Sequence, residues 1–315
     1  MSELTRDTTR AAPGGLSCTV GPGSGLSRVL ECFELAGRED PAVAWNTFTG
    51  TWNWAAPLGP ALSADDAGVD SVVRRVPGGF SLSGRWRRPP GARPEWLVVS
   101  VVPDRQRGAA GTSEHEPDLF VVAAKALRVT DGTPVTTSVF ELTDFYVPAG
   151  LATHTTGTAL EPDDEGFFRT AVTAMALGAA RRLTEALAAL DPSCEPAVIP
   201  AGRAPAASTA ELDAVLHDAR SALAAALHGI PETEGVNARP FTQTPAAVHL
   251  ERAGQVARHV VTAAYERALP LPARHDGHPL VRLVEDASPI LQCMRFDVEL
   301  MPRHSDIPTR KTQIR

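Results

Sequence analysis

The stretch Val76-Pro77-Gly78-Gly79-Phe80-Ser81-Leu82-Ser83-Gly84-Arg85-Trp86 decides how this chain is read. Ahead of it, Val72-Val73-Arg74-Arg75-Val76 has the β-branched character of a strand. Pro-Gly-Gly supplies a turn, because proline presets φ and glycine accepts the left-handed region. Beyond the turn, Phe80, Leu82 and Trp86 alternate with Ser81, Ser83 and Arg85, the period of a half-buried strand. The segment reads as a β-hairpin and places a sheet in the middle third of the chain.

Working outward, Trp96 to Val102, Leu119 to Ala124, Leu127 to Thr130 and Ser138 to Val147 read as further strands, with a polar surface loop from Pro103 to Pro117. This spacing predicts a small antiparallel sandwich or barrel. On the N-terminal side, Leu26, Val29, Leu30 and Phe33 recur at three and four and predict a helix from about Leu26 to Leu35. Asp40-Pro41 breaks it, and Ala42 to Trp54 reads as a second helix or an apolar connection. On the C-terminal side the period is helical from Asp163: Phe168, Val172, Met175, Ala176, Ala179, Leu183, Ala186, Leu187 and Leu190 share a face. Pro192 and Pro196 are expected to close that helix. Ser208-Thr209-Ala210-Glu211 is a capping box opening a helix to about His228. Two more helices are expected over Pro245 to Leu269 and Leu280 to Met301. The reading is an α+β chain: a flexible arm over 1–25, a short N-terminal helical part over 26–66, a β-domain over 67–150, and a four-helix bundle over 151–315.

Composition narrows the function classes. The 315 residues carry 30 Lys+Arg against 37 Asp+Glu, a formal net charge of −7. An acidic chain without a dense basic run is a poor match for a phosphate backbone, so nucleic acid is disfavoured. No apolar stretch reaches the roughly 18–20 residues of a membrane span, and the first residues lack the apolar core of a secretory signal. Cys18, Cys32, Cys194 and Cys293 are scattered without a CxxC pair, so neither a disulfide framework nor a structural zinc site is expected; the default compartment is the cytoplasm.

Few motifs carry chemistry by themselves. His275-Asp276-Gly277-His278 resembles a metal fragment but lacks a third ligand nearby, and solvated loop histidines account for it better. Asp163-Asp164-Glu165 reads as charge at a helix N-terminus. Arg74-Arg75 and Arg85-Arg87-Arg88 have the fork geometry for a phosphate-bearing ligand, with solvated strand arginines as the plainer account. Trp45, Phe48, Trp52 and Trp54 crowd one segment and are expected to pack, with a cavity wall as the alternative. Cys293 reads as a small buried hydrophobe.

The hairpin, followed by Trp96, resembles the "GGY-x-(L/V)-SGRW" segment of the acyl-CoA dehydrogenase superfamily, most closely its branch of flavin-dependent monooxygenases and related dehydrogenase-like proteins. Glu141-Leu142-Thr143-Asp144-Phe145-Tyr146-Val147-Pro148 resembles that family's "VDDVFVP" strand, and Ser288-Pro289-Ile290-Leu291-Gln292 its "SPLQR" segment. The resemblance spans roughly residues 26 to 300. It implies N-terminal helices, a β-domain and a C-terminal bundle, dimers, tetramers or a hetero-oligomer with a related subunit, and a flavin, FAD or FMN, between β-domain and bundle. It implies dehydrogenation or monooxygenation of a small acyl or aromatic metabolite. The alternative is a flavin-free relative that serves as partner subunit or has been reused for binding or non-redox chemistry.

By the same resemblance, Trp86, Thr136, Thr137 and Arg295 are the candidate cofactor-binding residues and Glu299 the candidate catalytic base, with Trp96 as a further lining residue; no metal ligand is implied. Aligned without a gap, Arg295 matches the family arginine and Val298 takes the place of a monooxygenase histidine; shifted by one, Glu299 takes it. Departures from the family pattern are also visible. Pro89-Pro90-Gly91 stands where a Ser-Gly pair approaches the flavin ring, removing an N–H and a hydroxyl. Pro134-Val135-Thr136-Thr137 stands for Gly-Thr-Gly-Ser, and Leu269-Pro270-Leu271-Pro272 for a Gly-Gly-Ser turn. Set against the family, the chain is expected to be N-terminally truncated, with less wall around the cavity.

Overall fold

The structure is a computed structural model that describes residues 20–63, 71–88, 96–101, 116–124, 128–129, 138–189, 208–230, 241–268 and 279–300. The first helix, α1 (Leu26–Glu39), runs one turn further than its apolar face predicts. It stops where Asp40 becomes extended, and the Asp40 carboxylate accepts the Val43 N–H at 2.9 Å. With Pro41 in the first turn, the breaker also serves as the cap of α2 (Pro41–Thr51). The aromatic segment that follows leaves the helix at once: β1 (Trp52–Asn53) pairs in parallel with β9 (Thr158–Ala159), a long-range pairing with no local signature.

The hairpin forms as expected. β2 (Val72–Val76) pairs antiparallel with β3 (Gly79–Arg88), closed by Pro77 and Gly78, whose φ of 75° explains the glycine. β3 also pairs with β7 (Ser138–Pro148), which carries β6 (Arg128–Val129) on its other edge. A register shift lies between Leu82 and Gly84. A second sheet holds β4 (Trp96–Ser100), β5 (Leu119–Ala123) and β8 (Ala152–Thr153) in that order. Phe80 of β3 meets Phe120 of β5 edge to face at 5.3 Å, so the two sheets share a core. The architecture is therefore α+β, with N-terminal helices, antiparallel sheets in the middle and C-terminal helices.

The C-terminal helices are α3 (Glu165–Ala188), α4 (Thr209–His228), α5 (Pro245–Ala268) and α6 (Pro279–Leu300). The capping box read at Ser208 is present, with Ser208 and Glu211 bonding each other's backbone N–H. The expected stops at Pro192 and Pro196 lie outside the described residues. Helix α3 is buried along almost its whole length because α1 covers it on one side while α4, α5 and α6 pack around it. Glycines set the α1–α3 crossing: a Cβ at Gly178 would run into the Glu34 carbonyl, and one at Gly37 into the Met175 backbone. At this crossing Glu34, 7% exposed, faces Arg220 at 3.0 Å and Arg181 at 3.3 Å. One buried carboxylate thus ties α1 to α3 and α4. The aromatics of α2 and β1 join this core: Phe48 lies 5.7 Å from Phe33 and 6.1 Å from Phe168, and Trp54 stacks on Phe168 at 5.7 Å. Packing is the role of these rings.

Candidate functional site

The chain beyond β1 builds a cleft. After Trp54 come Ala55-Ala56-Pro57-Leu58-Gly59-Pro60-Ala61, a run rich in small residues and prolines that turns through a short 3-10 helix. Leu62 then hydrogen-bonds alongside β4: its N–H donates to the Val98 carbonyl at 2.8 Å, and its own carbonyl accepts from Ser100 N–H at 2.9 Å. Small side chains bridging from the helical part to the second sheet leave space between them. The result is an open cleft of about 430 Å³ lined by Asn53, Ala55, Ala56, Gly59, Pro60, Ala61, Val98 and Leu119. Its size suits a small organic ligand.

The wall is chemically sparse. Among the described lining residues only Asn53 has a polar side chain, and none of them carries a charge or a hydroxyl. Pro57 and Pro60 bring no N–H to this segment. The N–H groups of Leu58 and Gly59 donate to the carbonyls of Ala55 and Ala56, and that of Ala55 donates to Asn53 Oδ1 at 3.2 Å. Asn53 Oδ1 is thereby engaged, which fixes the amide orientation and leaves Nδ2 as the donor this wall can offer.

Of the residues nominated from sequence whose side chains are described, Trp86 and Trp96, neither lines this cleft. Trp86 is fully buried within the β-layer, stacked on Phe140 at 6.0 Å, and its Nε1 donates to the Ser100 carbonyl at 3.0 Å. Trp96 opens β4 and packs against the core. Thr136 and Thr137 lie outside the described residues. Arg295 and Glu299 fall on the last turns of α6, and their side chains are likewise outside what is described. The cleft itself escaped the sequence reading. Its local signal is the Ala/Pro/Gly run, but the wall opposite comes from Val98 and Leu119, which only the fold brings near.

The other motifs resolve as follows. Arg74 is paired with Asp144, whose N–H bonds Ser83 Oγ at 2.9 Å; Asp144 has a φ of 47° beside the register shift in the sheet. Glu165 pairs with Arg169 one helical turn on. His275 and His278 lie outside the described residues, and among those described no group of three or more His, Cys, Asp or Glu could hold a metal. Cys293 is buried and carries a thiol rather than a disulfide. Cys32, by contrast, is disulfide-bonded, which corrects the expectation drawn from scattered cysteines: sequence spacing does not report which thiols the fold brings together. No described helix is long and apolar enough to cross a membrane.

Among the described residues two carboxyls have displaced pKa values, and neither is a lining residue of the cleft. Bonds from the Ser208 N–H and hydroxyl group hold Glu211 below its usual value. Burial pushes Asp286 up, helped by Asp40 and Glu285 and opposed by Arg182 and Arg282.

Over about nine-tenths of its length the course of the chain is similar to that of several solved structures. The HsaA monooxygenase from M. tuberculosis is 14% identical, with a TM-score of 0.37, over 90% of this chain and 84% of that one. An acyl-CoA dehydrogenase from Slackia heliotrinireducens is 14% identical, with a TM-score of 0.35, over 88% and 78%. A glutaryl-coenzyme A dehydrogenase in complex with glutaryl-CoA is 14% identical, with a TM-score of 0.37, over 89% and 80%. These likenesses concern the course of the chain, not its chemistry. No protein-family model matches the sequence, and no curated protein matches it.

The flavin implied by the sequence resemblance can be tested against the cleft wall. A flavin ring has an apolar end and a polar edge that calls for several donors, and its phosphate calls for cations or free N–H groups. The wall suits the first requirement only. Among the described lining residues Asn53 Nδ2 is the single side-chain donor, and none of them is cationic. The described residues of this cleft do not fit a flavin; none of them belongs to the bundle, against which the resemblance places the ring.

Proposed function

We propose that this chain is a flavin-free relative of acyl-CoA dehydrogenase-like proteins, reused to bind a small, largely apolar metabolite in the cleft beside Asn53. The observation that carries the flavin-free part is in the sequence: prolines stand at 89, 90 and 134, where the family pattern has flavin-facing donors. The small apolar side chains described around the cleft beside Asn53 support the binding part. In such a chain the protein's contribution is shape and exclusion of water, not redox chemistry. A homo-oligomer, or a hetero-oligomer with a related subunit, agrees with the family pattern.

The second reading is a flavin-dependent oxidoreductase, a dehydrogenase or a monooxygenase, acting on a small acyl or aromatic metabolite. The hairpin and the strand ending in Val147-Pro148 favour it, since both form as the resemblance implies. In that case FAD or FMN would lie at the seam of β-domain and bundle, with Trp86, Thr136, Thr137 and Arg295 toward the cofactor and Glu299 toward the substrate.

One measurement separates the two. Purified protein should be colourless, and titration with FMN and with FAD should leave flavin fluorescence unchanged. Saturable uptake of either flavin would overturn the flavin-free reading and establish the second, with Thr137→Ala then expected to weaken retention.

A further inference from the structure

We infer that Cys32 is joined to Cys18, and that this bond is a thiol-operated latch fastening residues 20–25 against the aromatic core. The chain has four cysteines. Cys32 is disulfide-bonded and Cys293 is not, so the partner is Cys18 or Cys194, both outside the described residues. Chain reach chooses between them. Cys18 stands two residues before Val20, whose side chain is buried, and three before Gly21, where a Cβ would lie 3.0 Å from the Trp52 ring. A tight turn follows, with the Ser24 N–H donating to the Gly21 carbonyl at 3.0 Å, and α1 starts at Leu26. From Leu26 to Cys32 the helix rises about 9 Å, and the three residues from Gly21 back to Cys18 span about 10 Å when extended. A segment folded back along α1 therefore brings the two sulfurs level.

Cys194 has the poorer path. Helices α1 and α3 run in the same sense: Phe33 meets Phe167 at 6.1 Å, and Arg38 pairs with Glu185 at 2.6 Å. The C-terminal end of α3 thus lies past the C-terminal end of α1. To meet Cys32, the five residues after Ala189 would have to return about 6 Å along α3 and about 9 Å along α1. That nearly exhausts the ~17 Å reach of five extended residues and leaves nothing for the step across to the other helix.

Apart from the disulfide, residues 20–25 are lightly held. Their hydrogen bonds are local, the Ser24 turn and the Gly21 N–H to Ser24 Oγ at 3.1 Å, and Val20 is the one side chain among them that is buried. Helix α1 is anchored independently, by its glycine contacts with α3 and by the Glu34 ion pairs. Breaking the bond therefore frees the segment and leaves the helix in place. Cys32 is half-buried, with exposed Arg28 and Leu35 about one turn away, so a small thiolate can reach the bond. Dithiothreitol supplies the step: its thiolate attacks one sulfur and the other cysteine leaves, taking a proton. The second thiol of the reagent then displaces the remaining cysteine and closes a cyclic disulfide, so two electrons and two protons pass to the protein. Glutathione disulfide reverses the exchange and departs as two glutathione molecules.

Trypsin cuts after Arg10, Arg28, Arg38, Arg182 and Arg203, which puts Cys18, Cys32 and Cys194 on separate peptides. A non-reducing peptide map by mass spectrometry should show 11–28 linked to 29–38. A link from 29–38 to 183–203, or no link, would overturn the inference. Hydrogen exchange of the full chain tests the latch. Dithiothreitol should speed exchange of the Gly21 and Ser24 amides by about tenfold or more while α1 from Leu30 onward stays protected, and glutathione disulfide should restore the slow rate. Cys18→Ser should exchange like the reduced parent with or without reductant, and Cys194→Ser like the oxidised parent. Unchanged exchange at Gly21 and Ser24 on reduction would show the bond to be idle. Loss of protection through α1 as well would show a staple for the whole helix, and either result sinks the latch. The reduced parent gives the same readout as Cys18→Ser, so a variant that folds poorly leaves the question decidable.

Discussion

Gln292 of the last helix accepts the backbone N–H of Gly150 on its Oε1 at 3.0 Å, joining the bundle to the end of the β-layer. The same amide donates from Nε2 to the Gly78 carbonyl at 3.2 Å, so it also holds the turn of the β2–β3 hairpin. Gly150 is required for this approach, because a Cβ there would run into the Pro289 carbonyl. The contact falls in the Ser288-to-Gln292 segment that resembles the family, and it gives that segment a structural task. Replacing Gln292 with Leu leaves the Gly150 N–H and the Gly78 carbonyl without their partner. The expected loss is about 1–3 kcal/mol in unfolding free energy, read from urea denaturation. Gln292→Glu retains the acceptor and should cost less; equal costs for the two would show that the Gly150 bond does not matter.

At the α1–α3 crossing, Gly178→Ala should be among the most damaging single substitutions in the described chain. The added methyl meets the Glu34 carbonyl and the Arg38 nitrogen, both backbone atoms that cannot step aside. Overpacking of this kind costs about 1–3 kcal/mol or more. A thermal midpoint equal to that of the parent would refute the close crossing.

Glu34 and Arg38 sit on the same helix, yet their ion pairs should differ in weight. Glu34→Ala strands two guanidinium groups that are about a quarter to a third exposed, and is expected to cost about 2 kcal/mol after allowance for that exposure. Glu185→Ala removes the Arg38 partner, where both side chains are 47% exposed, and should change stability by no more than about 0.5 kcal/mol. Chemical denaturation of the two variants checks the ranking.

Asp286 predicts a pH dependence of definite sign. Its folded-state pKa is raised, chiefly by burial and then by Asp40 and Glu285. The folded form therefore holds the proton more tightly than the unfolded chain, and stability from this group is present in acid and lost as pH rises through the folded value. Asp286→Asn should stabilise the protein at neutral pH, with the benefit disappearing in mild acid. Thermal melts across that range would reveal a benefit of the opposite trend if the assignment is wrong. Glu211, held low by Ser208, has the opposite sign: its contribution is present above the unfolded value and fades as pH falls through the folded one.

The Cys32 disulfide is open to direct counting. Thiol titration of denatured protein should yield two more thiols after reduction than before, and an unchanged count would remove the bond.

What the amino-acid order determined by itself is local. The hairpin around Pro77-Gly78, the capping box at Ser208-Glu211 and the apolar faces of α1 and α3 follow from turn chemistry, side-chain reach and the periods 2.0 and 3.6, all of which operate within a few residues. The α+β class followed from those elements in order. Tertiary structure alone decided the parallel pairing of β1 with β9, the glycine-sized contact between α1 and α3, and the buried carboxylate shared by Arg181 and Arg220. It alone also made the cleft. Asn53 and Leu119 lie far apart in sequence, and neither carries a motif; they become one wall because Leu62 is drawn onto β4 by two backbone hydrogen bonds. Interactions of that range leave no periodic trace in a chain, because their partners are chosen by the packing of whole elements rather than by neighbouring side chains.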